Sequence, residues 1–403
     1  MKKLFSIFMS IAMIFSLCVI TGTSAFAEEK NLSDDIAKVI ENYYIQKDTG
    51  ISERLKTADV MLSDDVEKFI SGKIDTQQYV TELYSTDKEN YNVDVVLLEK
   101  DNNAAFSFFR FQVITEFNYT GLSEKTNVSE EVCVAYDTAS DKIVDIYTPL
   151  NYYDMEVRGD DRLDISLKMN KAKKFSFTES IEEKQESIID DINNVYNTEI
   201  SATINDTNSG EIMPQSSTVN KTSVVNWAND NWNKSQPSSG NGTVPYYDFS
   251  NISGNYDCTN FVSHALLAGG AKVNDTGGSG ISSTGWYYRN LSNRSSAWSG
   301  VVPFYNYMST STTANKASAK GQTFTYTNNG AYWGKGSVLQ LKPSGSSSYT
   351  HSTIITIKKA SSDGTRSYAY VTGRTSKTSY NYNQAVADMS PSSTKRVMNV
   401  YNY

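Results

Sequence analysis

Cysteine, histidine and proline are scarce in this chain of 403 residues, which has three cysteines, two histidines and seven prolines. So few cysteines cannot build the dense disulfide framework of a small secreted domain, and ordinary packing must therefore stabilise the fold. Two histidines and scattered carboxylates lack the spacing of a metal site. The sequence has no phosphate-cradling glycine loop and no basic aromatic stripe. We therefore expect no metal and no cofactor.

The chain is also poor in positive charge, since its 37 Lys and Arg residues are outnumbered by 45 Asp and Glu residues, for a formal net charge of -8. Nucleic-acid phosphates repel an acidic chain, so nucleic acid is not expected as a partner. The length is sufficient for two domains with separate cores.

Residues 1–27 are typical of a secretory signal peptide. Lys2 and Lys3 precede an apolar run from Leu4 to about Ile20, and Ala25-Phe26-Ala27 fits a cleavage site. A retained membrane anchor is the alternative, but the run is short for a span and no stop-transfer pattern follows. We expect a secreted protein, associated with the cell wall, that begins at Glu28 and is not inserted in a membrane after cleavage.

Composition divides the rest of the chain into an N-terminal domain (28–205), a linker (206–221) and a C-terminal domain (222–403). The linker is rich in Asp, Asn, Ser, Gly and Pro, and charges become rarer beyond it. In the N-terminal domain, the hydrophobic pattern predicts helices at 31–56, 59–84 and 179–196, and strands near 93–97, 104–117, 132–136 and 143–147. Helices followed by an antiparallel sheet indicate an α+β domain.

The N-terminal domain has no histidine and no catalytic signature. Cys133 lies between Val132 and Val134 in a predicted strand and is interpreted as a buried structural thiol. A disulfide between Cys133 and Cys258 remains an alternative. The domain could be a targeting module, an inhibitor-like prosegment or a spacer.

The segment Gly254–Gly270 carries the strongest chemical signal. Apolar residues recur at helical spacing from Phe261 to Leu266 and Gly269-Gly270 ends the predicted helix, so Cys258 lies at or just before the first turn. The free N–H groups of a helix N-terminus lower a cysteine pKa and can bind a developing oxyanion. Cys258 is therefore the candidate nucleophile, and a buried apolar cysteine is the alternative.

A cysteine nucleophile needs a base, and the chain offers only His264 and His351. On the predicted helix, at about 100° per residue, the His264 and Cys258 side chains point about 120° apart, so we expect His264 at the surface or the edge of the core. His351 begins a predicted strand (349–357) that forms a hairpin with 336–341. The alternative is that His351 only fills space in the core. Cysteine on a helix followed by histidine on a strand is the papain-like order.

The string Asp257-Cys258-Thr259-Asn260-Phe261-Val262-Ser263 resembles the signature of the bacterial putative amidase domain family, which is similar to the NlpC/P60 and CHAP groups of papain-like cysteine hydrolases. Residues 224–232, the aromatic segments 286–288 and 296–298, and the histidine strand 351–356 extend the resemblance over the C-terminal domain. The resemblance implies a papain-like α+β fold and cleavage of an amide or peptide bond. It also implies a peptide or peptidoglycan-like substrate.

Two departures from the family pattern concern the surroundings of His351. Relatives often have Gly-Asp where this chain has Gly336-Ser337, and they tend to have a polar orienting residue, often histidine, on the strand after the catalytic histidine. That strand has no histidine here, and Thr372 is the candidate third catalytic residue because its hydroxyl could accept a hydrogen bond from the imidazole. Asp363 lies in the preceding turn, and Arg374 has no acceptor to offer.

Asp257, Trp286 and Trp298 are candidates for substrate contact. A cap near the helix start is the alternative for Asp257. Core filling is the alternative for both tryptophans and for their aromatic neighbours in sequence, because aromatic residues dominate the cores of small domains.

These residues predict a secreted cysteine hydrolase. The Cys258 thiolate attacks a carbonyl carbon, His351 protonates the leaving amine, and water hydrolyses the thioester. Two alternatives stay open: a cell-wall-binding or adhesion protein that has lost catalysis, and acyl transfer to an amine instead of water.

Overall fold

A computed structural model describes residues 32–51, 60–103, 105–149, 151–158, 180–205, 217–252, 254–310 and 318–402. The predicted signal peptide and most of the predicted linker lie outside these ranges. Within them, no helix combines the length and the apolar character needed to cross a membrane.

The described residues form helices and strands in alternating groups along the chain. The helices are α1 (32–49), α2 (Asp64–Tyr84), α3 (Tyr152–Arg158), α4 (Ile181–Asn205), α5 (Lys221–Asn231), α6 (Cys258–Ala268), α7 (Ser296–Ser299), α8 (Val301–Ser309) and α9 (Val386–Met389). The strands are β1 (Met61–Leu62), β2 (Lys88–Asn102), β3 (Phe106–Tyr119), β4 (Lys125–Asp137), β5 (Lys142–Tyr147), β6 (Ser217–Thr218), β7 (Ile281–Ser282), β8 (Tyr288–Asn290), β9 (Asn293–Ser295), β10 (Ala319–Thr325), β11 (Val338–Lys342), β12 (His351–Ala360), β13 (Ser367–Arg374), β14 (Tyr380–Ala385) and β15 (Thr394–Asn402).

The α+β prediction for the N-terminal part is confirmed, with shifted element ends. Helix α2 begins at Asp64, later than predicted, because the Ser63 side chain accepts a hydrogen bond from the Val66 N–H and caps it there. Helix α4 continues beyond the predicted end to Asn205. Strands β2 to β5 form an antiparallel meander whose inner face packs on α1, α2 and α4.

Cys133 lies on β4 and is fully buried. Burial raises the pKa of its thiol to about 12, so the structural interpretation of this residue fits its placement. Cys133 and Cys258 are both free thiols in the structure, which shows no disulfide between them.

The predicted hairpin of the C-terminal part is confirmed as β11 and β12, which pair antiparallel with Leu341 opposite His351. Alternate residues of β12 enter two different hydrophobic clusters, as expected for a sheet covered on both faces. Ile354 packs with residues of α5 and α6, whereas Ile355 packs in a cluster on the opposite face. Helix α6 therefore packs against β12, and this packing places Cys258 near the strand that begins with His351.

Twelve of the described strands form one sheet that runs through both halves of the chain. Strand β4 pairs with β3 along one edge, while its other edge pairs with β14 near residues 127–129 and with β5 near residues 133–137. The C-terminal strands continue from β14 in the order β13, β12, β11, β15 and β10. The fold is thus mixed α+β, and β4 is the strand through which the N-terminal part reaches the histidine-bearing sheet.

Candidate active site

Cys258 is the first residue of α6, as the sequence predicts. The helix is buried along its first nine residues, and Phe261, Val262 and Leu266 lie fully buried in one hydrophobic cluster with Trp227 of α5 and Ile354 of β12. It stops at Gly269, and Gly270 follows with a φ of 81°, a backbone conformation that glycine adopts without steric cost.

The Cys258 thiol lies against the start of β12. Its Sγ is 3.8 Å from Thr259 Oγ1, and the Ser352 backbone donates a hydrogen bond to it. Thr259 Oγ1 is in turn 3.2 Å from Ser352 Oγ. Because Ser352 directly follows His351 in the chain, the nucleophile and base candidates come from remote parts of the sequence to one end of one strand. Thr259 and Ser352 were not among the predicted site residues.

The structure corrects the expected acidity of this thiol. Cys258 is 4% exposed, and burial raises the pKa of the thiol above its ordinary value. Hydrogen bonds from the Ser352 backbone and from Thr259 lower the pKa, but they do not outweigh burial, and the Asp257 carboxylate raises it further. The helix N-terminus alone therefore does not produce a thiolate at neutral pH.

His351 is half-buried at the first position of β12. Burial lowers the pKa of its imidazole to about 4, so the ring is neutral at pH 7. A neutral imidazole is the protonation state that a general base requires. In the part of the chain that the structure describes, the ring has no hydrogen-bond partner that fixes its tautomer.

Thr372 is not the orienting residue that the sequence predicts. The β12–β13 register places it opposite Ile354, three residues beyond His351, or about 10 Å along the strand. Its hydroxyl donates to Asn229 Oδ1 at 3.2 Å and accepts from the Asn383 backbone at 3.3 Å. Thr372 thus links β13 to α5 and β14 and has no contact with the imidazole.

The prediction that Asp257 contacts substrate is also wrong. The residue is completely buried, and its carboxylate accepts hydrogen bonds from the Tyr246 hydroxyl, from the Phe249 backbone at 3.0 Å and from Asn260 Nδ2 at 2.9 Å. It does not cap α6 through its side chain. Burial, together with the nearby Asp248 carboxylate, raises the pKa of Asp257 to about 7. Its role is to hold the turn before the nucleophile.

Arg374 supplies the positive charge for this buried turn. Its Nη2 lies 2.7 Å from Asp248 Oδ2 and its Nε lies 3.5 Å from Asp257 Oδ2. The guanidinium also donates to the carbonyl groups of Trp232 and Lys234 at 3.3 and 2.9 Å. All of these partners are distant in sequence, so no local pattern pairs Arg374 with them, and its importance was missed.

Trp286 and Trp298 hold α6 in place and line no open groove, which corrects their predicted role in substrate contact. They are 0% and 1% exposed. Trp298 Nε1 donates to Asn260 Oδ1 at 2.7 Å, and Trp286 Nε1 donates to Ser263 Oγ at 3.1 Å. Core filling with a satisfied indole N–H explains both residues.

His264 is completely buried, deeper than the surface or core-edge position expected for it. Its Nδ1 accepts a hydrogen bond from the Gly240 backbone at 3.2 Å, and its ring packs against Tyr246 with 4.8 Å between ring centroids. Burial lowers the pKa of His264 to about 3. These contacts assign it a structural role. Across the described ranges, no group of three or more His, Cys, Asp or Glu residues could hold a metal ion.

Comparison with known proteins supports an amidase-like reaction class. Residues 218–401 match the family model of the putative amidase domain. The match extends from within β6 to within β15, and it includes Cys258 and His351. It supports an amidase-like family and suggests the hydrolysis of an amide bond for this part of the chain. No curated protein and no solved structure matches the chain.

Proposed function

We propose that the protein is a secreted cysteine hydrolase that cleaves an amide or peptide bond in cell-wall peptides. The observation that carries the proposal is the position of the Cys258 thiol, which lies at the start of a helix and against the first residues of the strand that begins with His351. The amidase-like match of residues 218–401 supports the reaction class. The signal-peptide pattern of residues 1–27 supports an extracellular site of action.

The proposed reaction begins with both groups neutral. As Cys258 Sγ bonds to the carbonyl carbon, the thiol proton passes to His351 and the carbonyl oxygen becomes an oxyanion. The N–H groups of the first turn of α6 are the candidates to stabilise that oxyanion. Collapse of the tetrahedral intermediate breaks the C–N bond, and His351 returns the proton to the departing amine.

The second half of the reaction releases the acyl group. His351, neutral again, takes a proton from water while the water oxygen bonds to the thioester carbon. The C–S bond then breaks, His351 returns this proton to the departing sulfur, and the carboxylic acid leaves as the thiol and the neutral imidazole are regenerated. This order of steps requires Cys258 and His351 to be neutral at rest, because the base must be unprotonated when substrate binds.

The test uses isolated bacterial cell walls and the mature chain. Native protein should release new amine ends from the walls, and Cys258→Ala should lower the rate by about 10³-fold or more, as expected for removal of a covalent nucleophile. Cys133→Ala removes the same atoms from a thiol outside the proposed site and should keep the activity. Equal rates for native protein and Cys258→Ala would contradict the proposal.

A catalytically inactive wall-binding protein is the second candidate. It is favoured by the raised pKa of the Cys258 thiol and by the lack of a hydrogen-bond partner for the His351 ring among the described residues. Sedimentation with isolated walls separates the two candidates. Binding that is equal for native protein and Cys258→Ala, with no amine ends released by either, would identify the wall-binding protein.

A further inference from the structure

An arginine that has no carboxylate partner among the described residues lies on the face of the sheet that packs against α6, the helix of the candidate nucleophile. The guanidinium carbon of Arg396 is 3.4 Å from the ring centroid of Tyr305 and 3.7 Å from that of Tyr349. Two rings this close to one carbon can only lie on opposite sides of the planar group. Arg396 is therefore clamped between two aromatic faces, which leaves only the edge of the guanidinium for further contacts.

The edge of the guanidinium is only partly used. Arg396 Nε donates to Gln340 Oε1 at 2.8 Å, and the Tyr305 hydroxyl accepts a second hydrogen bond from the guanidinium, which has five N–H groups in all. Within the described ranges, no carboxylate forms an ion pair with Arg396, although the side chain is half-buried. The buried Arg374 and Arg158, by contrast, each pair with an aspartate at 2.7 and 2.6 Å. A half-buried cation held rigidly without a counter-ion is suited to receive an anion.

Hydrogen bonds connect this arginine to the candidate nucleophile. Gln340 Nε2 donates to Ser352 Oγ at 3.0 Å, Ser352 Oγ is 3.2 Å from Thr259 Oγ1, and Thr259 follows Cys258. Arg396, Gln340 and Ser352 are cross-strand partners on the neighbouring strands β15, β11 and β12. Two strand spacings put the Arg396 backbone about 10 Å from that of Ser352.

We propose that Arg396, clamped by Tyr305 and Tyr349, is a carboxylate-binding subsite for the substrate. The inference rests on the proposed function and specifies its substrate class, a peptide with a free carboxylate near the bond that is cut. The carboxylate accepts in-plane hydrogen bonds from the guanidinium, a geometry that arginine provides and lysine does not. Tyr349 lies two residues before His351, so the subsite and the base candidate share one stretch of chain.

The test needs no knowledge of the natural substrate. Chloroacetyl-diglycine alkylates a thiol and carries a carboxylate two residues from its reactive carbon, and its carboxamide is a neutral match. Native protein should alkylate at Cys258 about tenfold faster with the acid than with the amide, after correction by the ratio measured on the unfolded chain. Arg396→Gln should remove this preference, and Arg396→Lys should keep only part of it.

Arg366→Gln is the matched control, because it removes the same charge at the far end of the β12–β13 hairpin and should leave the preference intact. Thermal unfolding of each variant checks that the fold is retained. If Cys258 of the native protein reacts with acid and amide at equal corrected rates, the subsite is wrong and the nucleophile stands. If Cys258 reacts with neither reagent, the nucleophile itself is overturned, and the subsite with it.

Discussion

The Asp257 backbone N–H donates a hydrogen bond of 2.9 Å to the carbonyl oxygen of Thr375, which ties the residue before the candidate nucleophile to the end of β13. Arg374, the neighbour of Thr375, forms the buried ion pair with Asp248 and reaches the Asp257 carboxylate. The position of Cys258 is thus set by a strand more than a hundred residues further along the chain. The positive charge of Arg374 balances the buried carboxylates that hold the turn before Cys258.

Replacing Arg374 should destabilise the protein strongly. Arg374→Met leaves two buried carboxylates without a counter-ion, and we expect a loss of about 3–5 kcal/mol in the free energy of unfolding. Denaturant unfolding followed by circular dichroism measures this loss. Adding Asp248→Asn to Arg374→Met should recover part of it, because one of the unpaired charges is removed. An Arg374→Met variant as stable as the native protein would contradict the network.

Alkylation of Cys258 by iodoacetamide should increase with pH well beyond neutrality. Because burial raises the pKa of this thiol, the group is protonated at pH 7, and the reactive thiolate fraction grows only as pH rises past its ordinary value of about 8.5. Peptide mapping by mass spectrometry follows Cys258 separately from Cys133. A rate that is already constant below pH 7 would instead indicate a thiolate–imidazolium pair.

Stability should decrease as the solution is acidified from about pH 6.5. The folded-state pKa of His264 is about 3, so between pH 3 and 6.5 the unfolded chain binds a proton that the folded chain excludes. In this window the free energy of unfolding falls by up to about 1.4 kcal/mol per pH unit for this residue. Half-buried His351 adds a smaller contribution above pH 4.

The His264→Asn variant isolates that contribution. Its amide keeps an acceptor for the Gly240 N–H but does not titrate. The variant should be less stable than the native protein at pH 7, because a well-packed ring is lost, yet its stability should fall less steeply on acidification. Urea unfolding at a series of pH values provides both quantities. Parallel slopes for the two proteins would show that His264 is not excluded from protonation.

The parts of the site that could be predicted depend on local patterns. Apolar spacing followed by Gly269-Gly270 is enough to define α6, and a turn-forming segment between two apolar runs is enough to define the hairpin that begins with His351 at its second strand. Both features are read within about twenty residues, which is why the position of Cys258 at the start of α6 and of His351 at the start of β12 could be predicted; the pairing of the two side chains stays a prediction.

The parts that could not be predicted depend on burial and long-range register. The helix N-terminus favours a low thiol pKa, but the depth of Cys258 in the fold reverses the net effect. Thr372 lies on the expected strand, but three positions away from the required one, a displacement that only the observed register reveals. Likewise, no sequence pattern distinguishes a buried tryptophan from one that lines a groove.

The C-terminal part should require the N-terminal part for stable folding. Asp388, which follows β14, accepts hydrogen bonds from Thr86 at 2.7 Å and Tyr119 at 2.9 Å and lies 3.2 Å from Lys88 Nζ. All three partners belong to the N-terminal half, and β14 pairs with β4 of the same half. Residues 217–403 alone would expose the β14 edge and leave the Asp388 carboxylate without these partners, which is costly for a group buried in the folded chain.

We therefore expect residues 217–403 to be degraded by proteases under conditions in which the mature chain is resistant, and to lack a cooperative unfolding transition. In the mature chain, Asp388→Ala should lower the free energy of unfolding by about 3 kcal/mol, because it leaves Lys88 and two hydroxyl groups partly unpaired. Asp363→Ala, at a fully exposed turn, is the matched control and should have little effect. If residues 217–403 fold cooperatively and release amine ends from cell walls at the rate of the mature chain, the N-terminal half is a separate module, and the continuous sheet does not couple the two parts energetically.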